Sequence, residues 1–160
     1  MRFFGPVVLG LAAALLLAPA CELFDDDDDS GETIPFTSLA EVDCLAVLEP
    51  GTETFRSADD WEPFWLDHTI CTDGSGDPLK PPPVDFATQM LLAVHWGAGY
   101  AGCSSSVEAI REIRRRDGRL EVQVGPLPDL GDCERVVHPI QVVRLERSEG
   151  PVVFLGAPAS

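Results

Sequence analysis

Residues Pro81 to Cys103 read PPPVDFATQMLLAVHWGAGYAGC and contain the chain's best candidate for a buried strand. The apolar run Met90 to Trp96 follows a turn signal at Val84-Asp85-Phe86 and stops at the glycine-rich piece Gly97 to Gly102. A short, unbroken apolar run between two turn signals is typical of a strand that is buried on both faces. We therefore expect a central strand here, followed by a turn that needs the backbone freedom of glycine.

The residues at the two ends of this strand are expected to set the turn geometry. Asp85 is predicted to cap the turn ahead of the strand with its carboxylate, next to Phe86, and Pro81-Pro82-Pro83 forms a stiff polyproline lead. After the strand, three glycines are expected to supply backbone freedom: Gly97, Gly99 and Gly102. We interpret these five turn residues as structural.

An amphipathic segment upstream predicts one short helix. Four side chains recur at the spacing of a single helix face: Trp61, Phe64, Trp65 and His68. Pro63 is best tolerated in the first helical turn, which favours Asp60 as the N-cap and a helix over Asp60 to Thr69. We interpret Trp61 and Trp65 as core residues rather than as a ligand-binding box.

The remaining apolar segments predict strands. Ser104 to Arg116 is compatible with a helix or a strand, but Asp117-Gly118 favours a hairpin that pairs it with Leu120 to Val124. Further strands are expected over Ile34 to Leu48, Thr52 to Arg56, Val136 to Leu145, where Pro139 forces a bulge or an edge position, and Val152 to Leu155. The sum is a single α+β domain over residues 33–158: a mainly antiparallel sheet with one short helix packed on it, stapled by disulfides.

Four cysteines lie within this domain, an even number that indicates two disulfides in an exported chain. Three connectivities are possible from the sequence. We predict Cys44 with Cys71 and Cys103 with Cys133, because each bridge then closes a loop within one half of the domain. The competing interpretation is a zinc site, which the absence of any Cys-x-x-Cys pair disfavours, and we expect no metal and no cofactor.

The first 20 residues have the layout of a bacterial export signal: a positive end at Arg2, an apolar stretch and the small-residue exit Ala18-Pro19-Ala20. Cys21 directly after that exit resembles a lipoprotein signal, so we expect lipidation of Cys21 and anchoring to the membrane. An uncleaved transmembrane anchor is the alternative. Glu22 after the cysteine favours the outer membrane of a two-membrane cell envelope.

Residues 21–32 are expected to form an acidic tether. The run Asp25 to Asp29 buries no apolar surface and repels itself into an extended spacer. Calcium binding is a more specific alternative for this aspartate run, but the run lacks the glycine-bearing turn of a calcium-binding loop.

The charge of the chain disfavours nucleic acid as a partner. Formal net charge is -16, whereas phosphate binding requires a basic face. Five arginines nevertheless cluster around the predicted hairpin, either as a solvated tip or as a docking patch for an acidic partner: Arg111, Arg114, Arg115, Arg116 and Arg119.

Several of these motifs together resemble the C-terminal domain of PrcB-type accessory subunits of bacterial protease complexes. The matching pieces are Trp61 to Trp65, Val84-Asp85-Phe86, Met90 to Val94 and Gly97 to Gly102, and the resemblance covers Thr52 to Leu155. It implies an accessory partner of a secreted protease and no transferable catalytic residues.

We therefore expect a non-catalytic, membrane-tethered accessory or binding domain that stabilises or presents another exported protein, for which the resemblance implies a protease. A peptide or small-ligand binder that uses a sheet edge is the alternative, as is a protease inhibitor that uses the loop Gly125 to Gly131. A hydrolase is the less favoured class. Histidines, serines and Asp85 are present, but no Gly-x-Ser-x-Gly or His-Glu-x-x-His motif occurs.

Overall fold

The computed structural model describes residues 31–158, so the predicted signal peptide, Cys21 and nearly all of the acidic tether lie outside the described residues. Ten strands and one α-helix occur in the described part: β1 (Glu32–Thr33), β2 (Phe36–Ser38), β3 (Pro50–Phe55), α1 (Ala58–His68), β4 (Gln89–Trp96), β5 (Tyr100–Gly102), β6 (Ile110–Arg116), β7 (Arg119–Val124), β8 (Arg135–Val137), β9 (Ile140–Glu146) and β10 (Val152–Leu155). A 3₁₀ helix spans Ala40–Cys44. The predicted α+β class with mainly antiparallel strands is confirmed.

The strands form two four-stranded sheets and one small pair. We call the sheet with order β2-β9-β4-β3 the central sheet and the sheet with order β1-β6-β7-β10 the outer sheet, while β5 pairs with β8. All pairs are antiparallel except β10 with β7, which is parallel. The outer sheet covers one face of the central sheet and α1 covers the other, which gives three layers.

The predicted central strand is confirmed as β4, and its position explains its composition. Met90, Leu92 and Val94 enter the core shared with the outer sheet, whereas Leu91 and Ala93 enter the core beneath α1. All five are fully buried. Because successive side chains of a strand point to opposite faces, a strand between two layers needs apolar residues at every position.

The helix begins earlier than the sequence predicted. Ser57, not Asp60, is the N-cap, and its hydroxyl accepts a hydrogen bond from Asp60 N at 3.2 Å. Pro63 therefore lies inside the helix rather than in its first turn. Burial of Trp61 and Trp65, each at most 1% exposed, anchors this face on the central sheet and outweighs the backbone bond lost at Pro63.

The expectation of one opening strand over Ile34 to Leu48 was wrong. The segment divides into the short strand β2 and the 3₁₀ helix, and three of its buried side chains, at and beside that helix, recur every third residue: Leu39, Val42 and Leu45. That period belongs to a 3₁₀ helix and not to a strand. In the sequence, the apolar residues of this segment alternate only imperfectly with polar ones, so the pattern does not define the type of element. In the folded domain, Leu39, Val42 and Leu45 pack into the core, and they are three residues apart.

The hairpin is confirmed, and the strand predicted over Val136 to Leu145 needs correction. Asp117 and Gly118 have φ of 50° and 75°, the positive values that a tight two-residue hairpin turn requires. Pro139 does not sit in a bulge of one strand; it separates β8 from β9, which belong to different sheets.

Both predicted disulfides are confirmed. Cys44 and Cys71 are bridged with Cα atoms 5.1 Å apart, and Cys103 and Cys133 with Cα atoms 4.9 Å apart. The first ties the 3₁₀ helix to the segment after α1, and the second ties the end of β5 to the segment before β8. Each bridge therefore closes a loop of about 30 residues within one half of the domain.

Candidate functional site

Two strand edges lie on either side of one cleft. β3 is the last strand of the central sheet and β10 is the last strand of the outer sheet, and within residues 31–158 no strand pairs with the outer side of either. The cleft between them has a volume of about 600 Å³. Its lining is Glu49, Pro50, Gly51, Thr52, Glu53, His95, Val152, Val153, Phe154, Ala157 and Pro158. A terminal strand presents unpaired backbone N–H and C=O groups, so this cleft has the chemistry to receive an extended chain.

His95 is the buried polar side chain of the cleft. It is 5% exposed, and its Nδ1 lies 2.7 Å from the carbonyl oxygen of Glu49. Its Nε2 is buried and has no hydrogen-bond partner among the described residues. The imidazole is thus hydrogen-bonded at Nδ1, whereas Nε2 has no partner among the described residues.

Burial favours the neutral form of this imidazole. Desolvation lowers the pKa of His95 below its usual 6.5, and the nearby His68 lowers it further, while the Glu49 carbonyl and the charge of Glu53 act in the opposite direction. The ring also lies 6.4 Å from the Phe64 ring, measured between centroids.

Comparison with family models, curated proteins and solved structures gave no match to this chain. The resemblance to PrcB-type accessory domains therefore stays a prediction, and the functional argument depends on geometry.

The predicted turn residues lie at the two ends of β4. Asp85 Oδ1 accepts a hydrogen bond from Ala87 N at 3.1 Å, and Oδ2 accepts one from Thr88 Oγ1 at 2.9 Å, so the carboxylate caps the turn before the strand. At the other end, Gly97 has φ of 79°, and a Cβ there would lie 2.8 Å from the Leu48 carbonyl oxygen. Gly99 also has a positive φ, whereas Gly102 is the last residue of β5.

A second concavity lies between α1 and the polyproline lead. It has a volume of about 670 Å³ and a mainly apolar lining that includes Trp61, Leu66, Pro82, Val84 and Phe86. Trp65 does not line it, but its indole Nε1 donates a hydrogen bond to the Leu79 carbonyl oxygen at 2.6 Å and so ties the helix to the segment before the polyproline lead. Trp61, Trp65 and Phe86 thus belong to the core beneath the helix.

The side chains considered for hydrolysis do not converge. Asp43, not a histidine, binds the serines after Cys103: its Oδ1 accepts hydrogen bonds from Ser104 Oγ, Ser105 N and Ser106 N. The ring nitrogen of His68 that is bonded contacts the Phe64 carbonyl oxygen. Among residues 31–158, no histidine ring is hydrogen-bonded to a serine or a carboxylate.

The arginine cluster at the hairpin is largely neutralised by glutamates. Arg114 pairs with Glu112 at 2.9 Å, Arg115 with Glu32 at 2.6 Å, and Arg119 with Glu121 at 2.5 Å. All three pairs are at least partly exposed to solvent, and the Glu112 carboxylate raises the pKa of Arg114. The arrangement supports a solvated hairpin more than a basic docking patch.

Within residues 31–158 we find neither a cluster of metal-binding side chains nor a membrane-spanning helix. Residues 31–158 contain no group of three or more histidine, cysteine, aspartate or glutamate side chains placed to hold a metal ion. None of the helices in that range has the length and hydropathy of a membrane span.

The cleft is the feature that sequence reasoning missed. Its two edges come from opposite ends of the domain, and no local pattern reports that β3 and β10 end their sheets side by side. A weak signal was available in Pro50 and Gly51 at the start of β3, because proline in a strand favours an edge position.

Proposed function

We propose that this chain is a non-catalytic accessory domain that binds an extended segment of another exported protein along the outer side of β3. The observation that carries the proposal is the pair of open edges, β3 and β10, flanking one cleft. Main-chain hydrogen bonds to β3 would supply affinity, and the lining of the cleft would read alternate side chains of the segment.

The setting of this domain is proposed from the sequence. The export signal and Cys21 support a lipid-anchored protein of the bacterial cell envelope, in the outer membrane and facing away from the cytoplasm. The two disulfides are compatible with that oxidising setting. An exported protease is the partner that the PrcB-type resemblance implies.

Site-specific photo-crosslinking tests the binding edge. A photoreactive amino acid replaces Thr52 in β3 in one variant and Thr37 in β2 in the other, both in the full-length protein in its native membrane. These positions have the same residue type and lie on opposite edges of the central sheet.

We expect crosslinks to another exported protein from position 52 and not from position 37. Crosslinks from position 37 alone, or from neither position, would contradict the proposal. Mass spectrometry of the crosslinked product then shows whether the partner is a protease.

A further inference from the structure

The hydrogen bond of His95 fixes where its proton sits. A carbonyl oxygen only accepts, so the 2.7 Å contact between Nδ1 and the Glu49 carbonyl places the proton of the neutral ring on Nδ1. Nε2 is then a bare acceptor, buried and unpartnered among the described residues. Leaving a buried polar atom unpaired is costly, and a ligand that supplies a donor removes that cost.

Gly51 leaves a path from the cleft to this acceptor. Gly51 stands opposite His95 in the β3–β4 ladder, and a Cβ on Gly51 would lie 3.0 Å from Cε1 and 3.5 Å from Nε2 of the ring. Gly51 therefore places no side chain of its own on the path between the ring and the outer side of β3. Neighbouring strands are about 4.8 Å apart, so a long side chain of an added strand spans Gly51.

The charge around this path favours a cation. Glu49 and Glu53 are exposed cleft residues, and the cleft lining contains no lysine or arginine. Gly51 and Glu53 lie two positions apart in β3, so Glu53 faces the same side of the sheet as the path. A carboxylate in the ligand would have no hydrogen to donate to Nε2, and the negative charges of Glu49 and Glu53 would repel it.

We propose that the segment added to β3 carries a lysine or arginine side chain that lies across Gly51 and donates a hydrogen bond to Nε2 of His95. This inference rests on the proposed strand addition and names the side chain that the cleft selects. Glu49 and Glu53 balance the charge of the ligand, and the valines of β10 contact its opposite face.

Selection from a library of short random peptides tests both the strand addition to β3 and the preference for a cationic side chain. The full-length lipidated protein in detergent is the bait, and the selected sequences are compared with those from two variants, His95→Phe and Gly51→Ala. Gly51→Ala keeps the imidazole and narrows the path, whereas Gly74→Ala, in an exposed loop with open space around it, is the matched control.

We expect sequences rich in β-branched residues with a lysine or arginine at one fixed position. The cationic preference should disappear in His95→Phe and Gly51→Ala while the β-branched pattern stays, and both should persist in Gly74→Ala. Enrichment of extended peptides without a cationic position overturns this inference and leaves strand addition standing. Enrichment of nothing overturns both.

A direct measurement complements the selection. One selected peptide and its counterpart with norleucine at the cationic position are titrated into the protein, and the ¹⁵N shift of His95 Nε2 is followed. The cationic peptide should bind about tenfold more tightly, as expected for one charge-assisted hydrogen bond, and should move the Nε2 signal. Equal affinities, or an unmoved Nε2 signal, would contradict the inference.

Discussion

Asp43 binds Ser106 through a 2.8 Å hydrogen bond from the backbone N–H of Ser106 to Oδ1, which fastens the 3₁₀ helix to the turn after Cys103. The same oxygen accepts from Ser104 Oγ at 3.0 Å and from Ser105 N at 3.1 Å. One carboxylate oxygen thus organises a turn far away in sequence.

Replacing Asp43 by alanine should lower the free energy of unfolding by about 2 kcal/mol, because three donors lose a charged acceptor. Asp43→Asn is the matched control, since its amide oxygen can occupy the Oδ1 position and accept the same bonds. Urea denaturation monitored by circular dichroism measures both. Equal losses in the two variants would show that charge, and not the acceptor geometry, is what the turn requires.

The helix cap gives a second stability prediction. Ser57→Ala removes the acceptor for Asp60 N and should cost about 1 kcal/mol, while Ser57→Thr should cost less because a threonine hydroxyl also caps. Thermal unfolding of both variants under the same conditions checks this order. If the threonine variant loses as much as the alanine variant, the Ser57 cap does not stabilise the helix.

Some features of this fold leave a signature in the local sequence, and others depend on tertiary packing. Met90 to Val94 and Asp117-Gly118 were predictable because burial on two faces and positive φ leave direct signatures in residue type. The cap at Ser57 was not, because the rule against an interior Pro63 competed with the burial of two tryptophans, which only tertiary packing decides. The path over Gly51 to His95 was also invisible, because it depends on which strand lies opposite and on which strand ends the sheet.

The pH dependence of stability should carry a contribution from His95. Its pKa is lowered in the folded protein, so between that lowered value and the unfolded value of 6.5 the unfolded state binds more protons than the folded state. Stability from this group is fully present above pH 6.5 and decreases as the pH falls toward the folded pKa. Glu53 and the Glu49 carbonyl reduce the shift, and His68 adds to it.

Thermal unfolding of the wild type and of His95→Phe across this pH range isolates that contribution. We expect the midpoint of the wild type to fall more steeply with acidification than that of the variant. Parallel curves for the two proteins would show that His95 does not titrate between the folded and unfolded states as described.

The disulfides predict a large loss of stability on removal. Cys44 and Cys71 are separated by 27 residues, and Cys103 and Cys133 by 30, so each bridge should contribute about 3–4 kcal/mol by restricting the unfolded chain. Paired cysteine-to-serine variants, one for each bridge, test this by urea denaturation. Similar losses are expected because the two loops have similar length. A loss below about 1 kcal/mol in either paired variant would contradict this role for its bridge.

Cys21 provides the test of membrane attachment. If the thiol of Cys21 carries the lipid, Cys21→Ser abolishes acyl labelling and changes signal cleavage, because serine cannot form the thioether that precedes it. Metabolic labelling with a fatty acid, followed by separation of membranes, measures both effects, and Cys21 can be changed without touching either disulfide. Labelling that persists in Cys21→Ser would locate the lipid elsewhere. An unlabelled wild type that remains in the membrane fraction would favour an uncleaved apolar anchor over residues 3–17.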